Sequence, residues 1–230
     1  MQSMSAADLD EFQMRFSEHG WKLSPGGRIV DENETLLWFQ QEVGTDVDCM
    51  SSFDFVASDH GVATYPSIGI LHHEVSTLNG RFLGLPSDPV WTFGLSLSDV
   101  LKRQRVEASP YVRWLISSSE SIRHVVEVLQ SDIVTFAAPI ISSHSTLSGI
   151  ISYLEAEGAR RYQAQAGQLA IAYALCTEMP AAIRVLAEYA TESVRQGLPM
   201  SIQSWNFVRA FVRHFEIDPR VLPFDLPPES

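Results

Sequence analysis

The chain has 230 residues, 45% of them hydrophobic and 19% charged; that is enough apolar content to bury a core unaided, and it excludes a disordered or fibrous protein. Twenty-eight acids against 16 bases leave a net charge of −12, which opposes binding to a phosphate backbone, so nucleic acid is not an expected partner. Two cysteines, Cys49 and Cys176, with no paired Cys/His spacing exclude a disulfide framework and a structural zinc site, and a reducing, cytoplasmic setting is the expectation.

The first 18 residues contain neither a basic leader nor a continuous apolar run, so neither a signal peptide nor a spanning helix is expected there. Apolar stretches such as 133–141 are shorter than a membrane span requires, and no membrane partner is expected. Ser5 to His19 places Leu9, Phe12 and Phe16 at helical spacing, with Ser5 and Asp8 as a capping pair and Gly20 as the stop. Ser24 to Gly27 reads as a hairpin turn. Glu34 to Val43 and Ser51 to Ala57 are rich in aromatic and β-branched residues and read as strands, with a turn at Gly44 to Asp48. A second turn at Ser58 to Gly61 leads into Val62 to Tyr65, and Pro66 is expected to break that run before Ser67 to Leu71.

Val75, Leu78 and Phe82 predict a short helix over His73 to Leu83. Val90 to Leu97 and Tyr111 to Ile116 are further strand candidates. From Ile122 the period changes: Ile122, Val125, Val126, Leu129, Ile133 and Phe136 form one apolar stripe, with Ser119 as cap and Pro139 as stop. Helices are then expected at Ser145 to Glu157, Gln163 to Thr177, Ala181 to Gln196 and Ile202 to Glu216, with an extended tail from Asp218. The fold class is therefore α+β, an antiparallel sheet with flanking helices in the N-terminal half and a bundle-like helical C-terminal half. Three segments are expected: an α+β part over 1–116 with an acidic face, a helical part over 117–217 and a Pro-rich tail over 218–230.

Charge is the most informative functional feature. Residues 1–60 hold twelve acids and three bases, a net of −9, so most of the imbalance lies in the first quarter of the chain. Such an excess steers a basic partner if its carboxylates gather on one exterior patch. Asp31, Glu32, Glu34, Asp46, Asp48, Asp54 and Asp59 are the candidate partner-binding acids, and Trp21, next to Lys22, is the aromatic expected to be partly exposed beside them. Asp46 and Asp48 open like a calcium loop, but neither the sixth-position Gly nor the closing Glu follows, so no metal is assigned.

Catalytic patterns are sparse. His60, His72 and His73, with Asp59 or Glu74, are the one cluster that suggests metal-assisted hydrolysis, although adjacent residues on a strand point to opposite faces. No GxSxG elbow occurs, and the Ser-rich stretches 117–121 and 142–148 precede helices, where hydroxyls cap backbone amides. Cys176 is expected in a core helix and Cys49 in a more exposed polar loop without a nearby His, so neither is expected to act as a nucleophile.

Gly20-Trp21-Lys22 after a helix, Ser67-Ile68-Gly69-Ile70-Leu71-His72 leading into a short helix, Ala138-Pro139-Ile140-Ile141, and the Leu169 to Leu186 hairpin resemble a group of uncharacterised bacterial domains of unknown function. Small acidic bacterial proteins of comparable build include immunity partners that neutralise toxins. The acidic N-terminal face is the basis for expecting a non-enzymatic cytoplasmic protein-binding module that needs no cofactor and takes a basic protein as partner, and the resemblance adds the analogy of an immunity- or antitoxin-like inhibitor of a toxin. The alternative is a small metal-assisted hydrolase built on His60, His72 and His73.

Overall fold

The computed structural model describes residues 4–30, 35–85, 91–156, 163–195 and 202–226. The class is α+β. Contacts divide the chain into two compact units, Met1–Ile70 with Gly94–Ser143, and Leu71–Phe93 with His144–Ser230.

Helix α1 (Ala6–Ser17) begins at a capping box: the Ser5 hydroxyl accepts from the Asp8 amide at 3.2 Å, and the Asp8 carboxylate accepts from the Ser5 amide at 3.2 Å. Its buried stripe is Leu9, Phe12 and Phe16. Strand β1 (Lys22–Val30) follows, and the segment expected to be a hairpin turn is instead a bulge inside it. The pairing jumps from Leu23 opposite Phe39 to Arg28 opposite Leu37. Gly26 takes the left-handed conformation, and a Cβ on Gly27 would lie 2.6 Å from the Trp38 carbonyl, so the bulge requires glycine.

Strands β2 (Thr35–Gly44) and β3 (Val47–Ser58) form a long antiparallel hairpin in which Leu37 faces Phe53 and Phe39 faces Ser51. Alternation puts these side chains on the face that receives α1. Phe12 meets Phe53 and Phe55 edge-on at 5.2 and 5.1 Å, and Phe16 lies 4.7 Å from both Phe39 and Phe53. Strand β4 (Gly61–His72) runs through Pro66 without interruption. The reason lies two residues earlier, where the Thr64 amide donates to the Trp114 carbonyl. The missing Pro66 N–H belongs to that same side, beyond the two residues that pair with β6, so proline removes no bond of that pairing.

Helix α2 (His73–Leu83) follows and closes at Gly84 in the left-handed conformation. The strand expected over Val90–Leu97 is β5 (Phe93–Ser96) among the described residues, and Leu97 already opens α3 (Leu97–Arg103). The strand expected over Tyr111–Ile116 is replaced by a one-turn helix α4 (Pro110–Arg113), begun by the fixed φ of Pro110, and a short β6 (Leu115–Ile116). β6 pairs Ile116 with Val62 and Leu115 with Ala63, and a Cβ on Gly61 would lie 2.2 Å from the Ile116 carbonyl. Among the described residues the sheet has six strands in the order β1-β2-β3-β4-β5, with β6 also on β4.

The apolar stripe forms α5 (Ile122–Asp132), a π turn (Ile133–Ala137) and α6 (Ala138–Ser143). Pro139 therefore does not stop the helix. A proline there cannot donate to the Thr135 carbonyl and clashes with it in α geometry; the wider turn, in which the Ala138 amide donates to the Ile133 carbonyl, relieves both. The run 119–143 is long and apolar enough to cross a membrane by length and composition, but 44% of its most apolar window is buried within the fold. Ile122, Val125, Val126 and Leu129 are core residues.

The second unit is helical. Besides α2 it holds α7 (Leu147–Ala156), α8 (Gln163–Leu175), α9 (Met179–Arg195) and α10 (Ile202–His214). Alanines 170, 172 and 182 are fully buried where α8 and α9 pack closely. Phe82 meets Phe207 and Phe211 edge-on at 5.6 and 6.0 Å. Gly167 has no room for a side chain, because a Cβ would lie 2.9 Å from the Phe207 ring. The tail is not uniformly extended: Asp218 caps a 3-10 turn over Pro219–Val221, and Leu222 is buried.

Candidate partner-binding surface

The N-terminal acids separate into two sets. Asp8 accepts from the Ser5 and Ser119 hydroxyls at 2.6 Å, which holds its carboxyl below the ordinary Asp value. Asp10 pairs with Arg28, and Arg15 binds Glu11 at 2.7 Å and Glu18 at 3.6 Å. These four carboxylates are engaged by the α1 cap and Arg15, by Arg28 on β1 and by Ser119 ahead of α5.

The second set contains the acids that sequence reasoning nominated. Asp31, Glu32 and Glu34 lie outside the described residues. Asp48 is only 6% exposed on β3, so it does not offer a charge to a partner. Trp21 is corrected too: it is 3% exposed, packs 5.2 Å from Phe16 and donates its indole N–H to Gln130 at 3.4 Å. Gly20, in the left-handed conformation, turns the chain at the end of α1 and sends the indole into the core.

Asp46 is exposed in the β2–β3 turn, Asp59 is exposed in the β3–β4 turn, and Asp54 is half-buried between them on β3. Exposed Glu42, not singled out from sequence, stands at the Asp46 end. None of these four has an ion pair among the described residues. A straight twelve-residue strand is roughly 40 Å long, so Asp46 and Asp59 sit at its two ends. The accessible charge is a line along β3 and not the single compact patch expected. Asp54 projects opposite Leu36 and on the same face as exposed Val56, away from the α1-facing side that holds Phe53.

The histidines separate as well. His72 is buried as the N-cap of α2, where its Nδ1 accepts from the Val75 amide at 3.5 Å and its own amide donates to Thr92 at 2.9 Å. His73 is exposed on the next residue, and His60 is exposed in the β3–β4 turn. Among the described residues no three His, Cys, Asp or Glu side chains converge as metal ligands. The cysteines exchange their expected settings: Cys49 is buried on β3, its thiol pushed up to about 12 by burial and then by Asp48, while Cys176 is only half-buried at the end of α8.

One feature without a sequence signal is a cavity of about 260 Å³ between α1 and α5, lined by Arg15, Glu18, His19, Arg123, Val126 and Glu127. Its two guanidiniums face two carboxylates, and Arg15 is already held by Glu11 and Glu18, so the walls are electrically balanced. No family model, curated protein or solved structure matches the chain.

Proposed function

We propose that the chain is a non-enzymatic module of the bacterial cytoplasm that binds a basic protein, with an immunity- or antitoxin-like inhibitor of a toxin as the concrete form. One observation supports the reading: the chain's own groups engage Asp8, Asp10, Glu11 and Glu18, whereas among the described residues Glu42, Asp46, Asp54 and Asp59 have no basic partner. Carboxylates strung along one strand raise the encounter rate with a cationic surface and select against acidic competitors. The test compares wild type with the triple variant Asp46→Lys, Asp54→Lys, Asp59→Lys as bait for soluble bacterial protein at low and moderate salt. A basic protein held by wild type with at least about tenfold higher affinity than by the variant supports the reading. Equal affinity of both baits for everything they retain contradicts it.

A further inference from the structure

The face of the sheet that carries Asp54 also carries two tyrosines with an unusual arrangement. Tyr65 on β4 and Tyr111 on α4 have ring centroids 6.0 Å apart and planes at 86°, so together they make a right-angled aromatic corner. Tyr111 is 48% exposed and the adjacent Val112 is 71% exposed, so the corner opens to solvent. The β3–β4 turn brings Ser58 against Gly61, with the Ser58 hydroxyl donating to the Gly61 carbonyl at 2.9 Å. Counting four residues back along each strand sets Asp54 opposite Tyr65. Burial, a hydrogen bond to Tyr111 and the nearby charges of Tyr111 and Asp54 together push the Tyr65 hydroxyl up to about 12, which keeps the Tyr65 phenol neutral at physiological pH. No Lys or Arg among the described residues stacks on either ring or pairs with Asp54.

A π face attracts a cation, the attraction grows with partial desolvation, and a carboxylate beside the ring adds a directional partner for a guanidinium or ammonium head. We propose that Tyr65, Tyr111 and Asp54 form a seat for one arginine or lysine side chain of the protein partner. The inference rests on the reading of the chain as a binder of a basic protein and assigns one specific contact within it. Charge complementarity identifies the occupant: an uncompensated carboxylate beside two electron-rich rings rejects an anionic side chain and gains little from an aliphatic one.

The test titrates Nα-acetyl-arginine amide and Nα-acetyl-lysine amide into the full chain, with Nα-acetyl-norleucine amide as the uncharged control, and follows the tyrosine ring resonances by NMR. The expected result is saturable movement of the Tyr65 and Tyr111 signals with the two cations only, at concentrations on the order of tens of millimolar. Asp54→Asn weakens it about fivefold, and Tyr111→Ala, an exposed position, abolishes it while the far-UV spectrum stays unchanged. No movement at either ring, or movement that survives Tyr111→Ala, overturns the seat. If the rings fail to respond while reversal of Asp46 and Asp59 still weakens the basic partner, the seat falls and the functional reading stands. If the cations bind but Tyr111→Ala leaves association with that partner unaltered, the corner serves small organic cations and the assignment to a partner side chain is wrong.

Discussion

Asp132, 1% exposed on α5, accepts from Nε and Nη2 of Arg113, the first at 2.7 Å, and from the indole N–H of Trp114 at 2.9 Å. One carboxylate thus joins the α4–β6 segment to the long helix at the residue where the π turn begins. Asp132→Ala leaves a buried indole N–H without an acceptor and a guanidinium without its counter-charge, a loss of about 3 kcal/mol. Urea denaturation should show a clearly lower midpoint, with Asp132→Asn between the two because its amide oxygen still accepts from Trp114. An unchanged midpoint would mean that the pair contributes only specificity.

Thr177 ends α8 in the left-handed conformation, at φ 61°. The Glu178 amide donates to the Tyr173 carbonyl at 2.9 Å and closes the motif in which glycine is the usual residue. A β-branched side chain is strained there, so Thr177→Gly should stabilise the protein by about 1 kcal/mol and raise its melting temperature by about 2–4 °C. Calorimetry measures this directly. Glu216→Gly, at φ 52° after α10, should act in the same direction with a smaller gain because glutamate is not β-branched.

Ser5 and Asp8 share one capping box, so Ser5→Ala and Asp8→Ala should each cost about 1 kcal/mol, and the double variant should lose less than the sum. The Asp8 contribution also depends on pH. Its folded pKa is depressed, chiefly by the Ser119 and Ser5 hydroxyls, so the stabilisation is complete above the ordinary Asp value near 3.8 and fades as the pH falls below it. Wild type and Asp8→Asn should therefore differ in stability at pH 6 and converge as the pH falls through the folded pKa. A constant difference would exclude the charged hydrogen bonds as its source.

With the Cys49 thiol pushed up to about 12 inside the sheet and Cys176 half-buried at a helix end, one thiol should react with a disulfide reagent at pH 8 in the native state. Peptide mapping should place that label on Cys176, and Cys49 should react only after unfolding. Native labelling of Cys49 would show that β3 opens locally.

Long periodic segments were legible because their packing demands nothing beyond pattern. Leu9, Phe12 and Phe16 define α1, the Ser5–Asp8 box marks its start, and the four C-terminal helices fall within a few residues of their expected limits. The misreadings have two causes: some local signals were overridden by a partner distant in sequence, and others by a local adjustment of the backbone. Pro66 stays in a strand because of where Thr64 finds Trp114, and Pro139 stays in a helix because a π turn absorbs it. Trp21 is buried because Gln130, 109 residues away, waits for its N–H. For the candidate surface, composition identified the acids but not their arrangement, since the pairing of Asp10 with Arg28 depends on the fold. Tyr65 and Tyr111 carried no motif at all, because the corner exists only where α4 meets the sheet.

The association rate of the basic partner, followed by stopped-flow fluorescence across a salt series, tests the central claim most directly. Wild type should associate at least about tenfold more slowly at 300 mM than at 50 mM salt, and the Asp46→Lys, Asp54→Lys, Asp59→Lys variant should be slow throughout with little salt dependence. Identical rates and identical salt slopes for the two proteins would show that the carboxylates along β3 do not receive the partner.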